Sequence, residues 1–163
     1  MLMGYIKLDF YVNAAIKEVW LFGLQAENIP LWQYDVVRVN GITGTIDHVG
    51  TKYTLVYKKA GRLLESPVEV SKFEPENYTI ETTGITPMGG FFKSTTVMEK
   101  SSDTITHVKW EMIYRLPGWF IGVLLDKLLF ERAFKMTVEK YNFNFKNIIE
   151  KEYTGHEPEG RGF

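Results

Sequence analysis

The chain has 163 residues, with 19 Lys plus Arg against 20 Asp plus Glu, and no cysteine. That length fits one domain with a real core, and the near balance of charge gives no electrostatic reason to expect nucleic acid or an acidic membrane as the main partner. Disulfides and thiolate metal sites are excluded, which fits a reducing compartment. Met1 to Lys7 lacks a basic segment followed by an apolar core, and no run approaches about eighteen apolar residues, so a soluble, cytoplasmic protein is expected. Aromatic residues make up 15% of the chain, and those rings need somewhere to be buried.

In chain order, Ile6, Leu8, Phe10 and Val12 alternate with Tyr5, Lys7, Asp9 and Tyr11, the pattern of a half-buried strand. Asn13 is placed to cap a short helix, Ala14 to Leu24, with Ile16, Val19, Trp20 and Gly23 on one face. A second short helical turn is expected over Glu27 to Gln33, broken by Pro30 and anchored by Leu31 and Trp32. Strands follow: Val36 to Asn40, Thr51 to Lys59, Leu64 to Ser71, Tyr78 to Ile85, Phe91 to Lys100 and Thr104 to Leu116. Gly61-Arg62 reads as a hairpin tip, and Pro67 marks its strand as an edge or a bulge. The spacing is that of an antiparallel meander.

After Pro117-Gly118 the periodicity turns helical and continues to Glu152. Phe130, Phe134, Val138, Tyr141, Phe145, Ile148 and Ile149 recur at steps of three and four as one apolar stripe, with Lys135, Glu139, Lys140, Lys146, Asn147, Glu150 and Lys151 toward water. The start is different: Trp119, Phe120, Ile121, Val123, Leu124, Leu125 and Leu128 are apolar nearly all round, so cover is needed on more than one side. Either the short helices bearing Trp20 and Trp32 supply it, or this surface is exposed for transient membrane contact or a homodimer through Trp119, Phe120 and Leu124. The domain is expected to span residues 1–152, with a disordered tail over 153–163.

This order of elements resembles the START-like, birch-pollen-allergen-like helix-grip superfamily, in particular its polyketide cyclase/dehydrase and lipid-transport branch, also called SRPBCC. The matching pieces are Asn13-Ala14-Ala15-Ile16-Lys17-Glu18-Val19-Trp20, Ile29-Pro30-Leu31-Trp32, Val49-Gly50-Thr51-Lys52-Tyr53 and Tyr114-Arg115-Leu116-Pro117-Gly118, spread over Gly4 to Glu152. The resemblance implies an α+β fold: a curved antiparallel sheet of about seven strands wrapped around one long C-terminal helix, with two short helices between the first two strands. It also implies a cavity for a small hydrophobic ligand such as a lipid, an isoprenoid or a polyketide-like molecule. A dry cavity of ~500 Å³ would cost about 12 kcal/mol at roughly 24 cal/mol per Å³. Such a space is therefore small, hydrated or occupied.

Strand parity and the helix stripe name the wall residues. Trp110, Met112 and Tyr114 come from the last strand, and Phe130, Phe134, Val138 and Tyr141 from the helix. Trp32, Tyr57, Phe73 and Phe92 join them, subject to bulges, which invert parity. The phenols of Tyr57, Tyr114 and Tyr141 are placed either to orient a polar group of a ligand or to reach water. No catalytic constellation stands out. His48, His107 and His156 lack metal-ligand spacing and are expected in solvent, no glycine-rich loop precedes a lysine and a helix, and Glu69, Glu81, Glu111 and Arg115 point outward by alternation. No cofactor and no metal are expected. A ligand-binding or transfer module, a cyclase- or dehydratase-like enzyme and an assembly or docking module all stay open.

Overall fold

The computed structural model describes residues 2–120 and 127–154. Strand β1 is Leu2–Val12; helix α1 (Ile16–Leu24), a 3-10 turn (Ala26–Asn28) and helix α2 (Ile29–Trp32) follow. Then come β2 (Val36–Asn40), β3 (Lys52–Lys59), β4 (Arg62–Glu74), β5 (Thr79–Ile85), β6 (Phe91–Ser102) and β7 (Ile105–Leu116), and α3 (Lys127–Thr154) closes the described chain. The seven strands form one antiparallel sheet in the order β1-β7-β6-β5-β4-β3-β2. From β2 to β7 each strand pairs with the next, so local connections suffice. β1 and β2 are the two edges, and α1 and α2 carry the chain from one to the other.

Alternation decides which face each strand buries. In β1, Ile6 and Val12 are buried while Tyr5 and Tyr11 are exposed; in β7, Thr106, Val108, Tyr114 and Leu116 are buried while Ile113 and Arg115 are exposed. The two strands pair without a break from Leu2↔Leu116 to Val12↔Thr106, so their inward rows coincide. α3 lies against β1 and α2, and its stripe of Phe134, Val138, Phe145 and Ile149 joins the buried rows of the sheet in two core clusters.

Several local expectations shift. The β3–β4 tip is Ala60-Gly61, both at positive φ (48° and 74°), with Lys59 paired to Arg62. Two successive left-handed residues give the turn whose twist matches a hairpin. Pro67 sits inside the sheet, opposite Thr54, but the β4–β5 ladder ends at Val68↔Gly84, and the Ser66 hydroxyl donates to the Ile85 carbonyl at 2.6 Å. The missing N–H therefore falls where one side of the strand has no ladder to supply. The cap of α1 is Ala15, not Asn13. The Glu18 carboxylate accepts from Ala15 N (3.2 Å), and Glu150 from Asn13 N (2.9 Å). That bond is why Glu150, expected in water, is 9% exposed. In α2 the buried anchor is Ile29, and Leu31 faces solvent.

Pro117 is followed by a 3-10 turn, Gly118–Phe120. The expected apolar helix start at Ile121, Val123, Leu124 and Leu125 lies outside the described residues. The last helix runs two residues past Glu152, to Thr154, so residues 153 and 154 of the expected disordered tail, 153–163, are helical, and the rest of it lies outside the described residues.

Candidate functional site

Between the concave face of the sheet and α3 lies a partly enclosed cavity of about 450 Å³, within the usual size of small-molecule sites. The seam is thus not packed solid by the protein's own rings. At one end, Phe130 and Phe134 stack at 5.8 Å, and Tyr114 meets both edge-on, at 6.2 and 5.0 Å between centroids. Gly4 makes this possible: a Cβ there would lie 2.2 Å from the Tyr114 ring, so only a bare backbone on β1 leaves the phenol its place. At the other end Trp32 packs edge-on against Tyr141 (6.5 Å) and Phe145 (5.4 Å). Phe134 and Tyr141 are seven residues apart on α3, so the two aromatic ends stand about 10 Å apart along the axis.

The second end carries polar groups. The Tyr141 hydroxyl donates a short hydrogen bond to Asp35 Oδ1, whose other oxygen pairs with Lys59 Nζ at 3.1 Å. The Tyr57 hydroxyl donates to Gln33 Oε1 at 3.5 Å. Burial first, then the hydrogen bond and charge of Asp35, push the Tyr141 phenol far above the ordinary tyrosine range; burial, then Asp35, do the same to Tyr57, and burial alone to Tyr53. The phenols therefore favour the fold below the unfolded tyrosine pKa of about 10, and that contribution is lost as pH rises above it, by about 1.4 kcal/mol per pH unit and phenol. Urea unfolding between about pH 10 and 11 should show stability falling with pH. Tyr141→Phe should flatten the slope by one proton's worth; an unchanged slope would mean that Tyr141 titrates freely.

Of the residues expected to form the wall, Trp32, Tyr57, Phe92, Trp110, Met112, Tyr114, Phe130, Phe134, Val138 and Tyr141 all border the cavity. Phe73 does not: it stacks on Trp20 at 5.8 Å, beside the cavity wall. A register shift between Val70 and Lys72 turns it to the concave side, displaced toward α1. Sequence reading missed Gln33, Lys59 and Asn142 and the wall hydroxyls of Thr82, Ser94 and Thr96. The signal was there for most of them. Lys59 continues the row of Tyr53, Leu55 and Tyr57, Ser94 and Thr96 continue that of Phe92, and Asn142 stands four residues after Val138. Asp35, in the turn before β2, has no periodic signal.

Glu69, Glu81, Glu111 and Arg115 stay off the cavity wall. His48 is exposed, as expected, but His107 stacks on Tyr11 at 4.5 Å on the outer face and is only 17% exposed; His156 lies outside the described residues. Among the described residues no group of His, Asp and Glu is placed to hold a metal, and no helix is long and apolar enough to cross a membrane. Trp119 is 65% exposed. The Phe120 side chain and Leu124 lie outside the described residues.

No family model and no curated protein matches the sequence. Solved structures do match. A START superfamily protein from Mycobacterium smegmatis superposes with a TM-score of 0.71 at 11% identity, over 91% of this chain and 98% of that one. A protein from Thermus thermophilus gives 0.72 at 16% identity, over 91% and 99%. The di-domain ARO/CYC BexL from the BE-7585A biosynthetic pathway gives 0.70 at 18% identity over 90% of this chain, which spans 46% of that longer protein. These likenesses agree with the seven-stranded sheet, the two short helices after β1 and the long last helix, and the chain has the helix-grip fold of START-like proteins.

Proposed function

We propose that the protein holds a small hydrophobic ligand, such as a lipid, an isoprenoid or a polyketide-like molecule, between its sheet and α3. The observation that carries this reading is the cavity of about 450 Å³, walled by large apolar and aromatic side chains with a few polar groups gathered at one end. At roughly 24 cal/mol per Å³, keeping such a space dry would cost on the order of 11 kcal/mol, comparable with the whole stability of a domain. An occupant or water offsets that cost, and the aromatic walls favour an apolar occupant. The residues that would bind it are Trp32, Tyr57, Phe92, Trp110, Met112, Tyr114, Phe130, Phe134, Val138 and Tyr141. The cysteine-free sequence suits work in the cytoplasm.

Native mass spectrometry of the purified protein, followed by organic extraction, tests the reading. A retained apolar molecule, or saturable uptake of an apolar dye, is the expected result; a bare mass with no dye uptake would overturn it. A cyclase-like or synthase-like activity has one observation in its favour, the hydrogen bond from Tyr141, whose side chain borders the cavity, to the Asp35 carboxylate behind the wall, with Lys59 beside it. Turnover of a bound polyketide that stops in Tyr141→Phe would support that second reading. Exposed Trp119 carries the reading of a transient membrane contact or homodimer. Vesicle flotation and sedimentation should each lose signal in Trp119→Ser if it holds.

A further inference from the structure

Two N–H groups at the polar end of the cavity lack an acceptor within the protein. The indole Nε1 of Trp32 and the amide Nδ2 of Asn142 are both buried and have no hydrogen-bond partner within the protein. Both residues border the cavity, and both flank the same turn of α3: the Trp32 ring packs on Phe145, three residues after Asn142. The nearby acceptors are committed. The Trp32 carbonyl accepts from Asn144 Nδ2 at 3.3 Å, Gln33 Oε1 from Tyr57, and the two Asp35 oxygens from Tyr141 and Lys59. Among the described residues, neither a carboxylate nor an imidazole borders the cavity.

A buried N–H without an acceptor is a standing cost in free energy, larger than the net gain of an ordinary hydrogen bond. An indole N–H can only donate, so only an acceptor relieves it. The Asn142 amide turns about a broad terminal torsion and can present its N–H groups to whatever fills the space. We propose that Trp32 and Asn142 form an acceptor-reading point, so that the cavity selects apolar ligands carrying a carbonyl or similar oxygen over hydrocarbons of the same shape. This rests on the reading that the cavity takes an apolar ligand. It goes further in naming the chemical group that is read and the two side chains that read it. Such a device discriminates well because the group that rejects the wrong ligand is already buried and unpaired.

Fluorene and 9-fluorenone share one ring skeleton and differ by a carbonyl oxygen, so competition of each against a cavity-bound apolar dye isolates the acceptor. The wild-type protein should bind 9-fluorenone at least about fivefold more tightly than fluorene, the size of one buried hydrogen bond. Trp32→Phe keeps a ring against Phe145 and deletes the donor together with the five-membered part of the indole; alone it should cut the preference by half or more, and with Asn142→Leu bring the ratio to about one, because the lost apolar contact weakens both probes alike. Circular dichroism and a cooperative thermal transition establish that the variants are folded. Equal affinity of the wild type for both probes, or an undiminished preference in the double variant, would overturn the acceptor-reading point and leave the ligand cavity standing. Failure of the wild type to take up dye or either probe would overturn the cavity reading, and this inference with it.

Discussion

Phe134→Asp should unfold the domain or abolish uptake of an apolar dye, whereas Lys135→Asp, one residue on, should do neither. The Phe134 ring touches Tyr114 and Phe130 and borders the cavity, so the change removes an aromatic contact on each side and puts a carboxylate on an apolar wall. Large-to-small changes at buried aromatic sites cost about 3–5 kcal/mol before any charge is added. An unpaired ion shielded from water adds more, or takes up a proton. A domain with roughly 5–15 kcal/mol in hand cannot absorb that freely. Lys135 is more than half exposed, and its nearest acid is Glu139 at 3.9 Å on the next turn. Losing that pair and facing two acids together should cost less than about 1 kcal/mol. Phe134→Ala separates folding from binding: it should stay folded, melt earlier and take up less dye. Equal tolerance of Phe134→Asp and Lys135→Asp would mean that the stripe faces the other way.

Phe134 and Lys135 also show how much of the molecule was legible in the sequence. Periodicity of two and of three to four fixes which face is buried, and it placed the rows of β1 and β7 and the stripe of α3. The strand order follows nearly as directly, since short turns leave a meander little choice. Reading stopped where a single extra residue or a single bond decides. The shift between Val70 and Lys72 is what turns Phe73 inward, against Trp20 and beside the cavity wall, and nothing in the run from Val68 to Phe73 announces it. Glu150 looks like a solvated helix residue, and it is buried because Asn13, 137 positions away, needs an acceptor. The aromatic wall is a property of periodicity and could be read. The polar end depends on Asp35, in a turn, meeting Tyr141 across a separation of 106 residues, and no local pattern records that.

Asp35→Ala should be the most damaging single change to that polar end, at about 2–4 kcal/mol of stability. Its carboxylate, only 10% exposed, accepts from Tyr141 on α3 and from Lys59 at the end of β3, so it ties the edge of the sheet to the helix across the cavity. A hydrogen bond to a charged acceptor contributes roughly 1.5–3 kcal/mol, and the stranded Tyr141 hydroxyl adds a desolvation cost. Lys59 is half exposed, so water replaces most of what its ammonium loses. Asp35→Asn, which keeps an acceptor without the charge, should cost less. Chemical denaturation of Asp35→Ala, Tyr141→Phe and the pair together gives the coupling: the double variant should be more stable than the sum of the two losses predicts, by about 1 kcal/mol or more. Strict additivity would show that the bond contributes nothing net, and that packing of Tyr141 against Trp32 holds this end of the grip by itself. If the tie does hold the seam, Asp35→Ala should also release a bound dye faster than wild type even under conditions where it is fully folded, because the edge strands and α3 would part more often at the end where the polar groups sit.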